Sequence, residues 1–118
     1  MSEKNIIREK LKATSVTIGT SDTDAWTENV PENKMRFIVA IFLIGDGTAS
    51  RTVDIEKKEE DGSYTVKFDD VPIAPADVRP IPPSYDIENP ILVLEGGTNL
   101  AFKANAGSPK ATVIYWDS

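Results

Sequence analysis

Paired acidic residues are the first side chains in this sequence whose type and spacing could support chemistry. Asp22 and Asp24 stand at the spacing with which carboxylate ligands begin a calcium-binding loop. The pattern then fails, because Trp26 and Thr27 occupy the positions that need an oxygen ligand and a glycine. A solvated loop is therefore the favoured interpretation, and we predict no metal site and no cofactor.

Asp69 and Asp70 are adjacent carboxylates at the end of a predicted strand. Paired carboxylates can divide acid and base roles in glycoside hydrolysis. Neighbours on a strand point to opposite faces, so these two are not expected to converge on one substrate. The sequence also has no cysteine and no histidine, which excludes thiol nucleophiles, serine–histidine triads and nearly all catalytic zinc sites. We predict no catalytic residues and a protein that is not an enzyme.

Aromatic rings could form a second kind of site, because their faces stack on the apolar faces of sugars. Trp26 lies in a polar loop, Tyr85 in a proline-rich segment, and Tyr115 and Trp116 are adjacent near the end of the chain. A glycan platform of Trp26, Tyr85 and Trp116, as in carbohydrate-binding β-sandwiches, is the alternative function, with a glycan as partner. Packing at a sandwich rim or an interface is the competing interpretation.

Short strands are the elements that must position these groups. Alternating and β-branched residues predict strands over 13–19, 34–44, 50–57, 63–68, 91–94, 100–104 and 111–116. Turn residues suggest that 50–57 returns beside 34–44 and that Gly96-Gly97 closes a hairpin. The proline-rich segment 72–90 reads as an extended crossover. We predict an antiparallel β-sandwich of seven to eight strands over 13–118, with a jelly roll as one form, after a helix or arm at 1–12.

The strand 37–44 is apolar on both faces. Strict alternation puts Phe37, Val39, Ile41 and Leu43 on one face and Ile38, Ala40, Phe42 and Ile44 on the other. A two-layer sandwich buries only one face of each strand. The N-terminal segment, through Ile6, Ile7 and Leu11, could cover the second face. We predict a subunit interface formed by these eight residues, and internal cover stays open for part of the same face.

Charge is distributed unevenly along the 118 residues. The whole chain carries −6, but residues 1–12 hold four basic against two acidic groups, a net of +2. The remainder holds nine against seventeen, a net of −8. We therefore predict no nucleic-acid or membrane partner, and a basic arm that pairs with an acidic neighbour, with a solvated helical turn as the alternative. We expect no secretion signal and no transmembrane segment, because the longest apolar run has eight residues.

The later part of the chain combines several recurrent pieces. Residues 90–94 read Pro-Ile-Leu-Val-Leu and lead through Glu-Gly-Gly into 99–104, Asn-Leu-Ala-Phe-Lys-Ala. A small-residue turn at 105–108 precedes Val113-Ile114-Tyr115, and Val-Pro-Glu-Asn-Lys at 30–34 comes before the long apolar strand. Over about 28–117 this succession resembles small virion structural proteins of tailed phages and prophages.

That resemblance implies a β-sandwich that decorates heads, forms necks or anchors fibres. It also implies a homo-oligomer, often a trimer, with capsid or other virion proteins as partners and a virion or cytoplasmic assembly as location. The acidic turn at 56–61 and the crossover at 72–90 depart from the pattern and leave the subfamily open. The surface, rich in lysine and glutamate, suits a thermophilic host.

Overall fold

The computed structural model describes residues 3–118. Within them lie one helix and nine strands, which are α1 (Glu3–Lys10), β1 (Lys12–Thr17), β2 (Thr23–Asp24), β3 (Met35–Ile44), β4 (Arg51–Lys58), β5 (Tyr64–Ile73), β6 (Val78–Ile81), β7 (Leu92–Glu95), β8 (Asn99–Ala104) and β9 (Lys110–Asp117). The first sheet has the order β1-β9-β3-β6, with β7 also paired to β3. The second sheet has the order β2-β8-β4-β5. All pairs are antiparallel, and the predicted β-sandwich is confirmed.

The main core lies between the two sheets. Ile41 and Leu43 enter it from the first sheet, and Val53, Ile55 and Phe102 enter it from the second. All five side chains are fully buried. Burial of such a side chain contributes about 1.5–3 kcal/mol, so these inward positions hold the two layers together.

Consecutive strands change sheet more often than the sequence analysis predicted. β3 and β4 lie in different sheets, so 50–57 does not return beside 34–44. Gly96-Gly97 likewise joins β7 of the first sheet to β8 of the second and does not close a hairpin. Both predictions were wrong because glycine-rich turns serve hairpins and sheet-to-sheet connections alike. The turn at 59–62 does close a hairpin, between β4 and β5.

Asp46 holds the connection between β3 and β4. Its carboxylate accepts hydrogen bonds from the Thr48 hydroxyl at 2.8 Å and from Arg51 Nε at 2.7 Å. It also accepts one from the amide of Ser108, at 3.3 Å, in the connection from β8 to β9. The Thr48 amide also donates to the carboxylate, and this bond, followed by the one from Arg51, lowers the pKa of Asp46. Two crossings at the same end of the sandwich are therefore joined by one carboxylate.

The proline-rich segment contains more strand than expected. β5 continues to Ile73, and β6 forms within the predicted crossover. β6 and β7 both pair with β3, β6 beside 41–44 and β7 beside 35–38. Pro72 in β5 and Pro80 in β6 are tolerated because both strands lie at a sheet edge. Between β6 and β7 the chain leaves the edge, and Ile87 of residues 82–91 packs on the outer side of the first sheet.

Candidate functional site

β3 does not alternate strictly, and this changes which side chains face outward. Its register with β9 shifts between Ile38 and Ala40. Ile38 lies in the main core together with Ile41 and Leu43, whereas Val39 and Ala40 both belong to a second cluster on the outer side. The two predicted sets of faces were wrong because a β-bulge reverses every side chain beyond it.

The chain itself covers the middle of this outer side. Ile7 of α1 and Ile87 of the 82–91 segment are nearly buried and pack against Val39 and Ala40. Leu11 contributes to the same cluster. Internal cover, which the sequence analysis left open, is therefore present. Ile6, which was expected to take part in the cover, is 43% exposed.

Five of the eight predicted interface residues are inaccessible to solvent in the single chain. Ile38, Val39, Ala40, Ile41 and Leu43 are all 0% exposed. The interface over 37–44 stays a prediction, and in this conformation only its remaining members keep some exposure, which are Phe37, Phe42 and Ile44.

Apolar side chains continue on both sides of the covered region, and we call them the outer apolar surface. At one end Phe37 lies in register with Val93 of β7 and Trp116 of β9. The rings of Phe37 and Trp116 stack with centroids 4.2 Å apart. The large, clearly exposed members of the surface are Met35 at 43%, Val93 at 39%, Val78 at 59% and Tyr85 at 49%.

The three rings predicted as a glycan platform do not come together. Trp26 packs against the main core, where its ring meets Tyr115 edge to face at 4.9 Å. Trp116 follows Tyr115 on β9, points to the opposite side of the sheet and joins the outer cluster. Tyr85 packs edge to face on Phe42. In this structure Trp26 and Trp116 do not share one platform with Tyr85, because β9 separates the two tryptophans.

Trp26 is also partly covered. The guanidinium of Arg36 lies over its ring, 4.4 Å from the centroid. A shallow cavity of about 400 Å³ adjoins it, lined in part by Thr14, Glu28 and Asn29. The indole Nε1 atoms of both tryptophans are buried without a hydrogen-bond partner among the described residues.

The acidic pairs lie on the outer face of the second sheet. Asp24 accepts hydrogen bonds from Lys58 Nζ and from the Tyr64 hydroxyl, both at 2.9 Å, which uses both of its carboxylate oxygens. Asp69 and Asp70 converge with Asp54, and the ligand oxygens of these three lie within 4.8 Å of one another.

The expectation that Asp69 and Asp70 diverge was wrong. Asp70 has a φ of +46°, and the register of β4 with β5 shifts between Val53 and Ile55. The alternation rule fails at such an irregularity. A hydrogen bond with the Asp54 carboxyl, followed by the nearby charge of Asp70, raises the pKa of Asp69. Of the described residues this trio comes nearest to a metal-binding geometry, although Asp54 already accepts a hydrogen bond from the Asp70 amide at 2.8 Å.

Glu56 is the unusual group on this face, and sequence reasoning missed it. It is only 5% exposed, and its Oε1 atom has no hydrogen-bond partner among the described residues. Burial, followed by contact with the Asp22 carboxyl, raises the pKa of Glu56 to about 7. The sequence does not predict this burial, because Glu56 stands at an ordinary alternating strand position and the Asp22 carboxyl that contacts it comes from a distant loop.

Comparisons with known proteins give a distant structural likeness. No family model matches the chain, and no curated protein matches it. Two crystal structures of a pentameric capsid protein isolated from metagenomic phage sequences each match with a TM-score of 0.44 and 12% identity over 88% of this chain. The chain spans 61% of the length of that protein. A likeness of this size carries no functional argument. Within the described residues, no helix has the length and apolar character needed to cross a membrane.

Proposed function

We propose that this protein is a non-enzymatic structural subunit of a virion or a similar assembly, and that it works as a homo-oligomer. The observation that carries the proposal is the outer apolar surface, which continues on both sides of the cover made by α1 and Ile87. Isolated exposed apolar residues are ordinary, but here four large ones flank the cover on one side of the first sheet, and such exposed apolar area marks contact surfaces. Adhesion between copies is therefore the function that the geometry supports best.

The strand orders add support at the level of architecture. With β6 and β7 sharing one position beside β3, the orders β1-β9-β3-β6 and β2-β8-β4-β5 match an eight-stranded jelly roll, and we infer that topology. Jelly rolls are frequent in viral capsid proteins, although lectins and cupins use them too. The fold alone does not define function, so the surface remains the main argument.

The magnitude of the contact is plausible for an oligomer. A stable interface buries about 800 Å² on each partner. Complete burial of one large apolar side chain contributes about 1.5–3 kcal/mol. Met35, Val78, Tyr85 and Val93 are already about half buried, so covering all four would contribute roughly half of that each. The number of copies, expected to be three from the resemblance, is left for measurement.

Light scattering of the full chain during size-exclusion chromatography tests the proposal. We expect a mass that is a multiple of 12.9 kDa at tens of micromolar. Val93→Asp should lower that mass while the protein stays folded, because Val93 is exposed on an edge strand. Thr20→Asp, in an exposed loop outside the surface, is the control and should leave the mass unchanged. A wild-type chain that stays monomeric would overturn the proposal.

A further inference from the structure

A basic surface surrounds α1. Lys4, Arg8, Lys10 and Lys12 are all exposed, and none of the ion pairs among the described residues involves them. Lys4 interacts electrostatically with Asp86, and Lys12 with Asp117. Arg8 and Lys10 are therefore the main groups that could pair with another copy. Lys10 Nζ lies 5.8 Å from the ring centroid of Trp116. The basic surface therefore adjoins the outer apolar surface on the outer side of the first sheet.

An acidic face occupies the opposite side of the molecule. Val53 and Ile55 of β4 point into the core, so Asp54 and Glu56 point outward from the second sheet. Asp69 and Asp70 gather beside Asp54. Glu56, which interacts electrostatically with Asp54, is more than nine-tenths buried and has an oxygen without a partner.

The surroundings of this acidic face define what it could accept. Val66, 46% exposed, is the partner of Glu56 in the β4–β5 register and provides apolar area within the face. Lys103 of β8 is the partner of Asp54 and offsets part of the negative charge. The face thus combines excess negative charge with an apolar side chain, which complements a surface that combines positive charge with apolar rings.

We propose that copies of this chain associate head to tail, with the basic surface around α1 of one copy docked on the acidic face of the next. This inference rests on the proposed homo-oligomer and names the surfaces that form it. The two surfaces lie on opposite outer sides of the sandwich, so the contact is heterologous. A heterologous contact closes into a ring or extends as a filament. It also relieves the repulsion among the carboxylates at Asp54.

Charge reversal tests the pairing directly. Arg8→Glu with Lys10→Glu, or Asp69→Lys alone, should each weaken association by about 100-fold, as expected for charges placed opposite like charges. The variant that combines all three substitutions should recover part of the lost association, because Asp69→Lys returns one positive charge opposite the two introduced glutamates. Sodium chloride at about 1 M should also dissociate the wild type, since surface charges are then strongly screened. Light scattering reads the mass in each case.

A matched control and the possible outcomes separate the two proposals. Lys67→Glu with Arg79→Glu makes the same change in net charge at exposed positions of β5 and β6, away from α1 and from the outer apolar surface, and should leave the mass unchanged. Dissociation by Val93→Asp, together with no effect of charge reversal, would overturn the head-to-tail contact and leave the homo-oligomer intact. Failure of the combined variant to reassociate would overturn the pairing too, because the α1 substitutions are then disruptive for another reason. A wild-type monomer would overturn both proposals.

Discussion

Arg36 and Asp117 are joined by two parallel hydrogen bonds, from Nε to Oδ1 at 2.7 Å and from Nη2 to Oδ2 at 2.9 Å. The guanidinium also lies near the rings of Trp26, 4.4 Å from the centroid, and Tyr115, 4.9 Å from the centroid. The side chain of Arg36 is only 10% exposed. One residue therefore fastens the end of β9 to the start of β3 and holds the loop that carries Trp26.

Arg36→Ala should lower the free energy of unfolding by about 3 kcal/mol, because it leaves Asp117 without its partner and removes the contact with both rings. Arg36→Lys should recover little of this, since an ammonium group cannot donate the paired hydrogen bonds. Urea unfolding measures the change. Lys34→Ala, at an exposed neighbouring position, should alter stability by less than about 0.5 kcal/mol. A loss below about 1 kcal/mol for Arg36→Ala would contradict the stabilising role of the Arg36–Asp117 pair.

Glu56 should make the folded state less stable as the pH rises. Its pKa is raised to about 7 in the folded protein, from an ordinary 4.5, so the folded state keeps a proton that the unfolded state releases. Stability from this group is complete below about pH 4.5 and is lost as the pH rises to about 7, by at most about 3 kcal/mol.

Glu56→Gln removes this titration and isolates it from that of other carboxyl groups. The variant should match the wild type near pH 4.5 and exceed it at pH 8, and the melting temperatures at several pH values report the difference. Glu60→Gln, at an exposed turn position, should give no such divergence. A constant difference between Glu56→Gln and wild type across the range would show that the carboxyl ionises normally.

Gly45 should tolerate no side chain, whereas nearby Gly47 should tolerate one at small cost. A Cβ atom at Gly45 would collide with the carbonyl oxygen of Ala74. At Gly47 nothing lies within 4 Å, and only the positive φ of 83° opposes alanine, at about 1–2 kcal/mol. Gly45→Ala should therefore destabilise the protein more than Gly47→Ala in thermal unfolding. Equal losses would mean that the 74–75 backbone moves aside freely.

The bulge in β3 distinguishes two neighbouring apolar positions. Ile38 is fully buried in the main core, so Ile38→Asp places an unpaired charge there and should abolish cooperative unfolding. Phe42 is partly exposed on the outer side, so Phe42→Asp should leave a folded chain of lower assembled mass. Circular dichroism and light scattering separate these effects. A folded Ile38→Asp variant would argue for strict alternation instead of the bulge.

The sequence predicts strands more reliably than their connections. Alternation correctly marks residues 63–68, and turn chemistry correctly marks the hairpin at 59–62. The same turn chemistry fails at 45–47, because Gly45 there permits close approach of the 74–75 backbone in a sheet-to-sheet crossing. A glycine in the sequence alone does not indicate whether it forms a hairpin turn or allows close backbone approach in a sheet-to-sheet connection.

The candidate surfaces were harder to predict, for a related reason. An apolar run at 37–44 signals two buried faces, but only the fold reveals that Ile87, from another strand connection, lies over one of them. The convergence of Asp69 with Asp54 depends on a local irregularity that periodicity cannot detect. Long-range packing and single-residue bulges thus decide which predicted side chains are accessible.

The connections between the sheets have a consequence for the speed of folding. Of the seven strand pairings among residues 3–118, only that between β4 and β5 joins strands that follow each other in the chain. β1 must find β9 about a hundred residues away, as the pairing of Ala13 with Ile114 shows. Closing such long loops costs entropy before any contact compensates, and two-state proteins of this kind fold in about milliseconds to seconds. We expect the β4–β5 hairpin to form early and the edges of both sheets to stay open longest, a period in which neighbouring nascent chains could pair wrongly.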